Sequence, residues 1–311
     1  MKILLTGGAG FIGSNLTDFL VDKGDAVIVI DDLSTGKLEN LSIHLDNKDI
    51  DFIESRVEDV DLNAFSDVDG VIHLAAQASV PLSVSDFRNS SSTNLLSSLN
   101  ILNYCVNNEL PFVYASSSAV YGDLEKGNDQ SKEVDLLTPY SVDKFILELY
   151  SEVFFKIKEL SSIGLRFFNV YGPRQDPSSP YSGVISIFID RLLNDNKIQI
   201  NGGNQTRDFV FIDDVVNCIY DSLILCRDKL VNKRLNILTG NETSVEELAD
   251  KIASYLNVVP QKEYLPQPLG DPLKSNGSTQ EMNRVLGRDP EHFFNLSAGL
   301  KRTIDYIKEN D

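Results

Sequence analysis

The sequence predicts an α/β protein: an open, doubly wound parallel sheet with a smaller, interleaved α+β domain. Two observations carry this expectation. In the first half of the 311-residue chain, short apolar runs alternate with amphipathic helical stretches. That is the pattern of parallel strands covered by helices on both faces. Beyond Tyr171 the alternation breaks, and Pro, Ser and Gly punctuate the chain.

Taken in order, "KILL" (2–5), "AVIVI" (26–30), "DFI" (51–53), "GVIHLAA" (70–76) and "FVYASS" (112–117) read as strands. Helical stretches lie between and after them, among them 12–23, 92–108 and 140–158. "IGLRFFNV" (163–170) reads as a sixth strand, and the crossovers are expected to be right-handed. "YGPRQDPSSPYSG" (171–183) is a loop, followed by a helix (184–194), a short strand (197–200) and a polar loop. "FVFIDDVVNCIYDSLILC" (209–226) returns to a strand and a helix. From about 228 a smaller α+β region ends in a helix, 297–309. The expected division gives 1–170 to the first domain, with 206–227 returning to it, and most of 171–311 to the second.

Composition excludes several partners. A net charge of −18 repels nucleic acid and anionic membranes. A hydrophobic content of 42% is ordinary for a globular protein, and no stretch approaches the ~18 apolar residues of a membrane span. The apolar run in "MKILLTGGAG" is too short for a signal peptide. Cys105, Cys218 and Cys226 have no ligand spacing and suit a reducing compartment. A cytoplasmic protein is expected. His44, His73 and His292 are scattered, so no metal site is expected.

"LLTGGAGFIGSNL" holds Gly8-x-Gly10-x-x-Gly13 at the end of the first strand. Gly10 lets the backbone approach a pyrophosphate, Gly13 lets the next helix pack tightly, and the helix N-terminus offers N–H groups to the anion. Asp31 ends the second strand about 20 residues on, where a dinucleotide's ribose hydroxyls need an acceptor. Its charge repels a 2′-phosphate, so NAD is favoured over NADP.

"PYSVDK" sets Tyr140 and Lys144 four apart, on one face of a helix. An aromatic contact beside a solvated lysine gives that pattern, and so does a phenol tuned to act as a base. The spacing leaves both open.

Seven motifs in order along nearly the whole chain bear on the choice: "TGGAGFIGSNL", "VIHLAAQASV", "ASSSAVYG", "PYSVDK", "LRFFNVYGPRQDP", "QTRDFVFIDDV" and "LNILTGNETSVEELA". Together they resemble the extended short-chain dehydrogenase/reductase family, in its NAD-dependent epimerase/dehydratase branch and especially the nucleotide-sugar epimerases. The resemblance implies a Rossmann domain carrying NAD and a C-terminal domain holding a UDP- or dTDP-sugar.

By that resemblance Tyr140 is the catalytic base. Lys144 lies near its phenol and hydrogen-bonds the nicotinamide ribose, while Ser117 relays a proton from the sugar 4-hydroxyl. A nearby cation favours the phenolate of a tyrosine, whose ordinary pKa of about 10 is too high for a base. Around the cofactor the resemblance implies Gly7, Gly10, Phe11, Ile12 and Gly13 from the first turn, with Asp31 and Asp32 from the second strand end. Val57 would lie on the adenine, and Leu74, Ala75, Ala76, Gln77 and Asn94 would complete the wall. On the sugar-nucleotide side it implies Ser118, Asn169, Val184, Arg207, Asp271 and Ser275, with Asn169 and Arg207 on the phosphates.

Two departures stand out. Relatives commonly carry an arginine where this chain has Pro268, which leaves Lys274 as a substitute, and Arg56-Val57 stands where Asp-Ile is usual. Related dehydratases carry an acidic pair where this chain has Ser118 and Ala119, which disfavours elimination of water. Inversion at C4 of a UDP-hexose is the expected reaction. Ser275 is small at a pocket wall and admits a 2-acetamido group, so UDP-GlcNAc and UDP-GalNAc are the expected pair, with UDP-glucose and UDP-galactose also considered. A UDP-glucuronate 4-epimerase, an enzyme releasing a keto sugar, and a non-catalytic NAD-binding sensor are the alternatives. Relatives dimerise through paired helices, here 92–108 and 140–158, so a homodimer is expected.

Overall fold

The computed structural model describes residues 1–178, 183–266 and 272–310. From the amino terminus the elements are β1 (Lys2–Thr6), α1 (Phe11–Asp22), β2 (Ala26–Asp31), α2 (Ser42–Asn47), β3 (Ile50–Glu54), β4 (Gly70–His73), α3 (Val80–Ser85), α4 (Phe87–Asn108), β5 (Phe112–Ser117), α5 (Pro139–Lys158) and β6 (Ser162–Phe167). There follow β7 (Asn169–Tyr171), α6 (Val184–Asn194), β8 (Lys197–Asn201), β9 (Thr206–Phe211), α7 (Ile212–Asp228), β10 (Asn232–Ile237), β11 (Glu242–Ser244), α8 (Val245–Leu256), β12 (Gln261–Leu265), β13 (Lys274–Ser275), α9 (Gln280–Leu286) and α10 (Leu296–Asn310).

The chain divides into two compact units. The first comprises Met1–Val120, Thr138–Arg166 and Val216–Leu235, the second Tyr121–Leu137, Phe167–Val215 and Asn236–Asp311. The segment that returns to the first unit is thus 216–235, where the sequence pointed to 206–227, and 121–137 goes with the second unit.

A seven-stranded sheet runs in the order β3-β2-β1-β4-β5-β6-β10, with β3 to β5 parallel. This is a Rossmann-type sheet. Its central strands are mostly apolar, and Ile3, Leu4, Leu5, Val29, Ile30, Val71 and Ile72 are fully buried. The strand order reverses between β1 and β4, so the loops after these strands diverge and leave a crevice where ligands bind in such sheets. Two strands differ from the sequence reading. β10 joins the sheet as a seventh strand, and "IGLRFFNV" breaks at Phe168 into β6 and β7, the latter pairing in parallel with β9.

α5 starts sharply. Thr138 and Ser141 exchange the two hydrogen bonds of a capping box, and Pro139 fills the first turn. Its middle is pinned by a fully buried ion pair. Glu148 accepts from Arg166 Nε at 2.8 Å and Nη2 at 2.5 Å, and from Ser116 Oγ at 2.6 Å. Breaking such a pair leaves an uncompensated buried charge, at a cost of about 3–5 kcal/mol. The register of α5 on β5 and β6 is therefore strongly fixed.

In the second unit β9 is central, pairing with β11, β13 and β7, while β8 and β12 form a parallel two-stranded sheet. Tyr171, Phe209, Phe211 and Phe294 stack edge-on or tilted against one another. Among the described residues no helix is long and apolar enough to cross a membrane, and no cluster of His, Cys, Asp and Glu has metal-binding geometry. The three cysteines are free and buried.

Candidate active site

The turn after β1 is built by glycines with separate tasks. Gly7 has φ +74°, and a Cβ there would lie 2.7 Å from Ala75 N. The tight turn is thus made at Gly7, whereas Gly8 gives room to Val29, whose Cγ1 would be 2.5 Å from a Cβ. A Cβ on Gly13 would lie 2.0 Å from Gly7 O, so only glycine lets α1 pack on the turn. A Cβ on Gly10 would meet nothing closer than 3.4 Å. Gly10 also caps α1 without any side-chain hydrogen bond, and no acidic residue occupies the first turn. The amides at Phe11 and Ile12 head a helix whose N-terminus suits an anion.

Asp31 ends β2, and its buried carboxylate accepts from Ala9 N and Leu33 N, both at 2.9 Å. Burial raises its pKa, with the backbone donors opposing. Asp32 is exposed and accepts from Ser34 N and Oγ. Val57 sits in the hydrophobic core with Ile30 and Ile101. After β4, Leu74 N donates to Thr6 O and Ala75 N to Thr6 Oγ1, which seats the segment through Ala76 beside the glycine turn. Gln77 N donates to Asn94 Oδ1 at 2.8 Å. Asn94 Nδ2 in turn donates to Gln77 O and to Asp143 Oδ2, both at 3.2 Å.

Ser117, Tyr140 and Lys144 come together in the same unit. Lys144 Nζ donates to Ala115 O at 3.0 Å and lies 5.7 Å from the centre of the Tyr140 ring. Ser117 Oγ accepts from Ala119 N at 3.1 Å, and its hydroxyl donates to the Tyr140 phenol oxygen. Tyr140 N donates to Ser83 Oγ at 3.2 Å. Ser118 opens the short 3-10 turn that follows β5.

The charges differ from what the resemblance implied. Burial raises the Tyr140 phenol, Asp143 adds to the rise, and the bond from Ser117 opposes it. Lys144 is itself lowered to about 8, mainly by burial, with Asp143 opposing. In the chain by itself, desolvation outweighs any pull of the ammonium on the phenol. Beside them His73 is buried neutral, lowered to about 3, with its ring nitrogens on Thr6 Oγ1 and Ser98 Oγ.

In the second unit three predicted residues converge on β9. Arg207 pairs in register with Ser275 of β13, and Asn169 of β7 with Phe209. Asn169 Nδ2 donates to Asp208 O at 3.1 Å and lies 3.5 Å from Ser275 Oγ. Arg207 Nη1 donates to Thr206 O. Val184 is the first residue of α6, which has no side-chain cap. Lys274 adds to the hydrogen bonds from Thr206 and Asn276 that hold Glu242 below its usual range. Asp271 and Pro268 lie outside the described residues.

Sequence reasoning missed two carboxylates. Asp143 sits inside the Tyr-x-x-x-Lys motif, where its charge was visible but its burial was not. Asp208 follows Arg207 and accepts from Thr239 N, Thr239 Oγ1 and Gly240 N, and burial lifts it to about 6.

The model of the NAD-dependent epimerase/dehydratase family matches residues 3–237. The chain belongs to that family. Its epimerase relatives span the full length. The UDP-glucose 4-epimerase of Mycolicibacterium smegmatis is 33% identical over 316 residues, covering 99% of each chain. The crystal structure of Thermotoga maritima UDP-glucose 4-epimerase with UDP-glucose superposes with a TM-score of 0.91 at 35% identity, covering 100% of this chain and 99% of that one. The UDP-N-acetylglucosamine 4-epimerase of Methanobrevibacter ruminantium M1, in complex with UDP-N-acetylmuramic acid, gives 0.92 at 32% identity with the same coverage.

Proposed function

We propose that this chain is an NAD-dependent UDP-sugar 4-epimerase, with UDP-GlcNAc and UDP-GalNAc as its preferred pair. The observation that carries the reading is the cluster of Ser117, at the end of β5, with the buried Tyr140 and Lys144. Ser118 and Ala119 follow, so no carboxyl is at hand there to remove or deliver water. The family relationship and the named 4-epimerases above support the same reaction class.

The residues present fit NAD. A Cβ-free cradle at Gly10, an uncapped α1 N-terminus and the buried Asp31 carboxylate match a pyrophosphate and a ribose in turn. Phe11, Ile12 and the wall from Leu74 to Gln77 complete this set, while Val57 offers only its outer edge to an adenine. NAD, when bound, supplies reversible hydride exchange with C4 of the sugar. Tyr140 takes the proton of the 4-hydroxyl and returns it, and Ser117 passes it across. Lys144 keeps one N–H on Ala115 O and offers the others to the nicotinamide ribose. Burial of Tyr140 and Lys144 limits the access of water to the transient 4-keto sugar.

Asn169 and Arg207 hold the pyrophosphate of the sugar nucleotide, the guanidinium being suited to bidentate contact. Val184 borders the nucleotide, Ser118 touches the sugar, and Ser275 leaves space for an acetamido group. On this reading residues 1–170 chiefly carry NAD and 171–311 chiefly carry the sugar nucleotide. A homodimer is favoured by the exposed apolar stripe of Val142, Leu149, Tyr150, Val153 and Ile157 on α5, beside exposed Leu96 and Phe87 on α4. The three buried free thiols suit a cytoplasmic location.

Purified protein should release NAD, not NADP, on denaturation. Incubation with UDP-GlcNAc, UDP-glucose and UDP-glucuronate, read by proton NMR of the sugar, should give UDP-GalNAc fastest. Accumulating keto sugar, turnover of glucuronate alone, or no turnover with NAD still bound would each contradict the reading.

A further inference from the structure

Asp143 is the buried charge that the reaction proposed above leaves unused. It lies three residues after Tyr140 and one before Lys144, so Tyr140 and Asp143 are neighbours on one helix face. Only 5% of the residue is exposed. Its carboxylate accepts from Asn94 Nδ2 at 3.2 Å and from the Ser91 hydroxyl. Asn94 in turn clasps Gln77 through both the backbone N–H and the carbonyl. One carboxylate thus touches the loop after β4 through Asn94 and acts electrostatically on both Tyr140 and Lys144.

We propose that Asp143 is a positioning residue that sets the pH range in which Tyr140 and Lys144 work together, and that anchors the Gln77 loop through Asn94. Here Tyr140 is taken as the base, as proposed above. A buried ammonium is costly unless an opposite charge lies near it. Asp143 is the charge that raises the proton affinity of Lys144, against burial. The same negative charge raises the Tyr140 phenol. Both groups therefore hold their protons to higher pH than they would beside a neutral residue.

The other ionisable groups around this pair are accounted for. On α5, Glu148 is neutralised by Arg166 of β6. From β4 comes His73, neutral at about 3, and from β5 comes Tyr114, pushed up by burial. α3 carries no ionisable side chain, and α4 carries Arg88, which is exposed, with Tyr104 and Cys105, both pushed up by burial.

Asp143→Asn removes the charge but keeps an oxygen for Asn94. Asp143→Ser also removes the charge, and its lone hydroxyl, one bond nearer the backbone, falls short of Asn94; it serves too if the first variant folds poorly. In either variant both limbs of the pH–rate bell should slide together to lower pH, by roughly half a unit to one unit, because both groups lose the same negative neighbour. A merely structural lesion would lower the bell without moving it. Turnover is not needed for the second readout. Phenolate absorbance of the NAD-loaded protein, taken as the difference from Tyr140→Phe, should shift to lower pH by the same amount. Asp143→Ser should also lose bound NAD several-fold, while Asp143→Asn retains it. Unmoved limbs and an unmoved phenolate titration would overturn the electrostatic role, and equal NAD retention in both variants would overturn the anchor. A shifted titration in a protein that epimerises nothing would uphold the role of Asp143 and remove the assigned reaction.

Discussion

Substituting alanine at Gly10 and at Gly13 separates a cofactor cradle from an ordinary tight turn. At Gly13 the new Cβ would stand 2.0 Å from Gly7 O, 2.7 Å from Gly8 Cα and 2.8 Å from Gly7 C. Ordinary C···O approach is about 3.3 Å, so α1 must retreat by more than 1 Å from backbone that cannot rotate away. Overpacking of this kind costs about 1–3 kcal/mol, or roughly 2–12 °C in Tm for a domain of this size. At Gly10 the nearest atom is 3.4 Å away and the backbone is at φ −73°, ψ 178°, open to alanine. Without ligand, Gly10→Ala should therefore be neutral or stabilise by about 0.4–1 kcal/mol, through the unfolded chain.

With ligand the order reverses. A methyl at Gly10 stands where the pyrophosphate must approach the backbone, and affinity for NAD should fall at least tenfold, about 1.4 kcal/mol. Differential scanning fluorimetry with and without NAD, plus NAD released on denaturation, reads both effects. Gly13→Ala should lose Tm and NAD together, and Gly10→Ala should keep Tm but lose NAD and the thermal shift it gives. Wild-type NAD retention in Gly10→Ala would refute the cradle, and an unchanged Tm in Gly13→Ala would refute the packing geometry.

Tyr140→Phe should keep NAD and lose about 10²–10⁴ in turnover, and steady-state rates within a few-fold of wild type would remove Tyr140 as the base. Ser275→Tyr should cut turnover of UDP-GlcNAc while sparing UDP-galactose, measured as the ratio of kcat/KM values, and a parallel fall in both would discard Ser275 as the gate. Lys144→Met should abolish turnover yet stabilise the fold at pH 7. The folded chain lowers Lys144 from 10.5 to about 8, a penalty on the order of 3 kcal/mol at about 1.36 kcal/mol per unit. That penalty is fully present below pH 8. From 8 to 10.5 the unfolded chain binds more protons, so wild-type stability should rise with pH and the advantage of Lys144→Met should shrink across that window.

The sheet of the first unit was legible because each strand is a compact apolar run and the helices between them are amphipathic. Its edges were not. β10 is only partly apolar over Asn232–Ile237, so its composition does not mark it as a strand of this sheet. The run "IGLRFFNV" is mostly apolar and carries no proline or turn cluster, so nothing in its composition marks the break at Phe168. That break arises because Phe168 N turns to Ile237 O and Asn169 pairs beside Phe209. Both partners lie far along the chain, and local pattern carries no information about them. The convergence of Asn169, Arg207 and Ser275 on β9 was likewise implied only by resemblance.

Tyr140 and Lys144 were legible as neighbours because a helical repeat places them on one face, whereas their role and Ser117 came only with the resemblance. Their electrostatics were not legible, because spacing names neighbours while desolvation depends on everything packed around them. The resemblance implied that a nearby cation, Lys144, draws the phenol down. In the fold, Lys144 donates a hydrogen bond to Ala115 O, stands 5.7 Å from the ring centre and is itself lowered by burial. The phenol is raised, chiefly by burial, and Asp143 adds to this. A tyrosine so placed is a weak base in the chain alone, and it needs further positive charge beside it before it can accept a proton near neutral pH. The proposed function meets that need only when oxidised NAD is seated, which ties proton transfer to cofactor occupancy and keeps the empty protein inert toward the sugar.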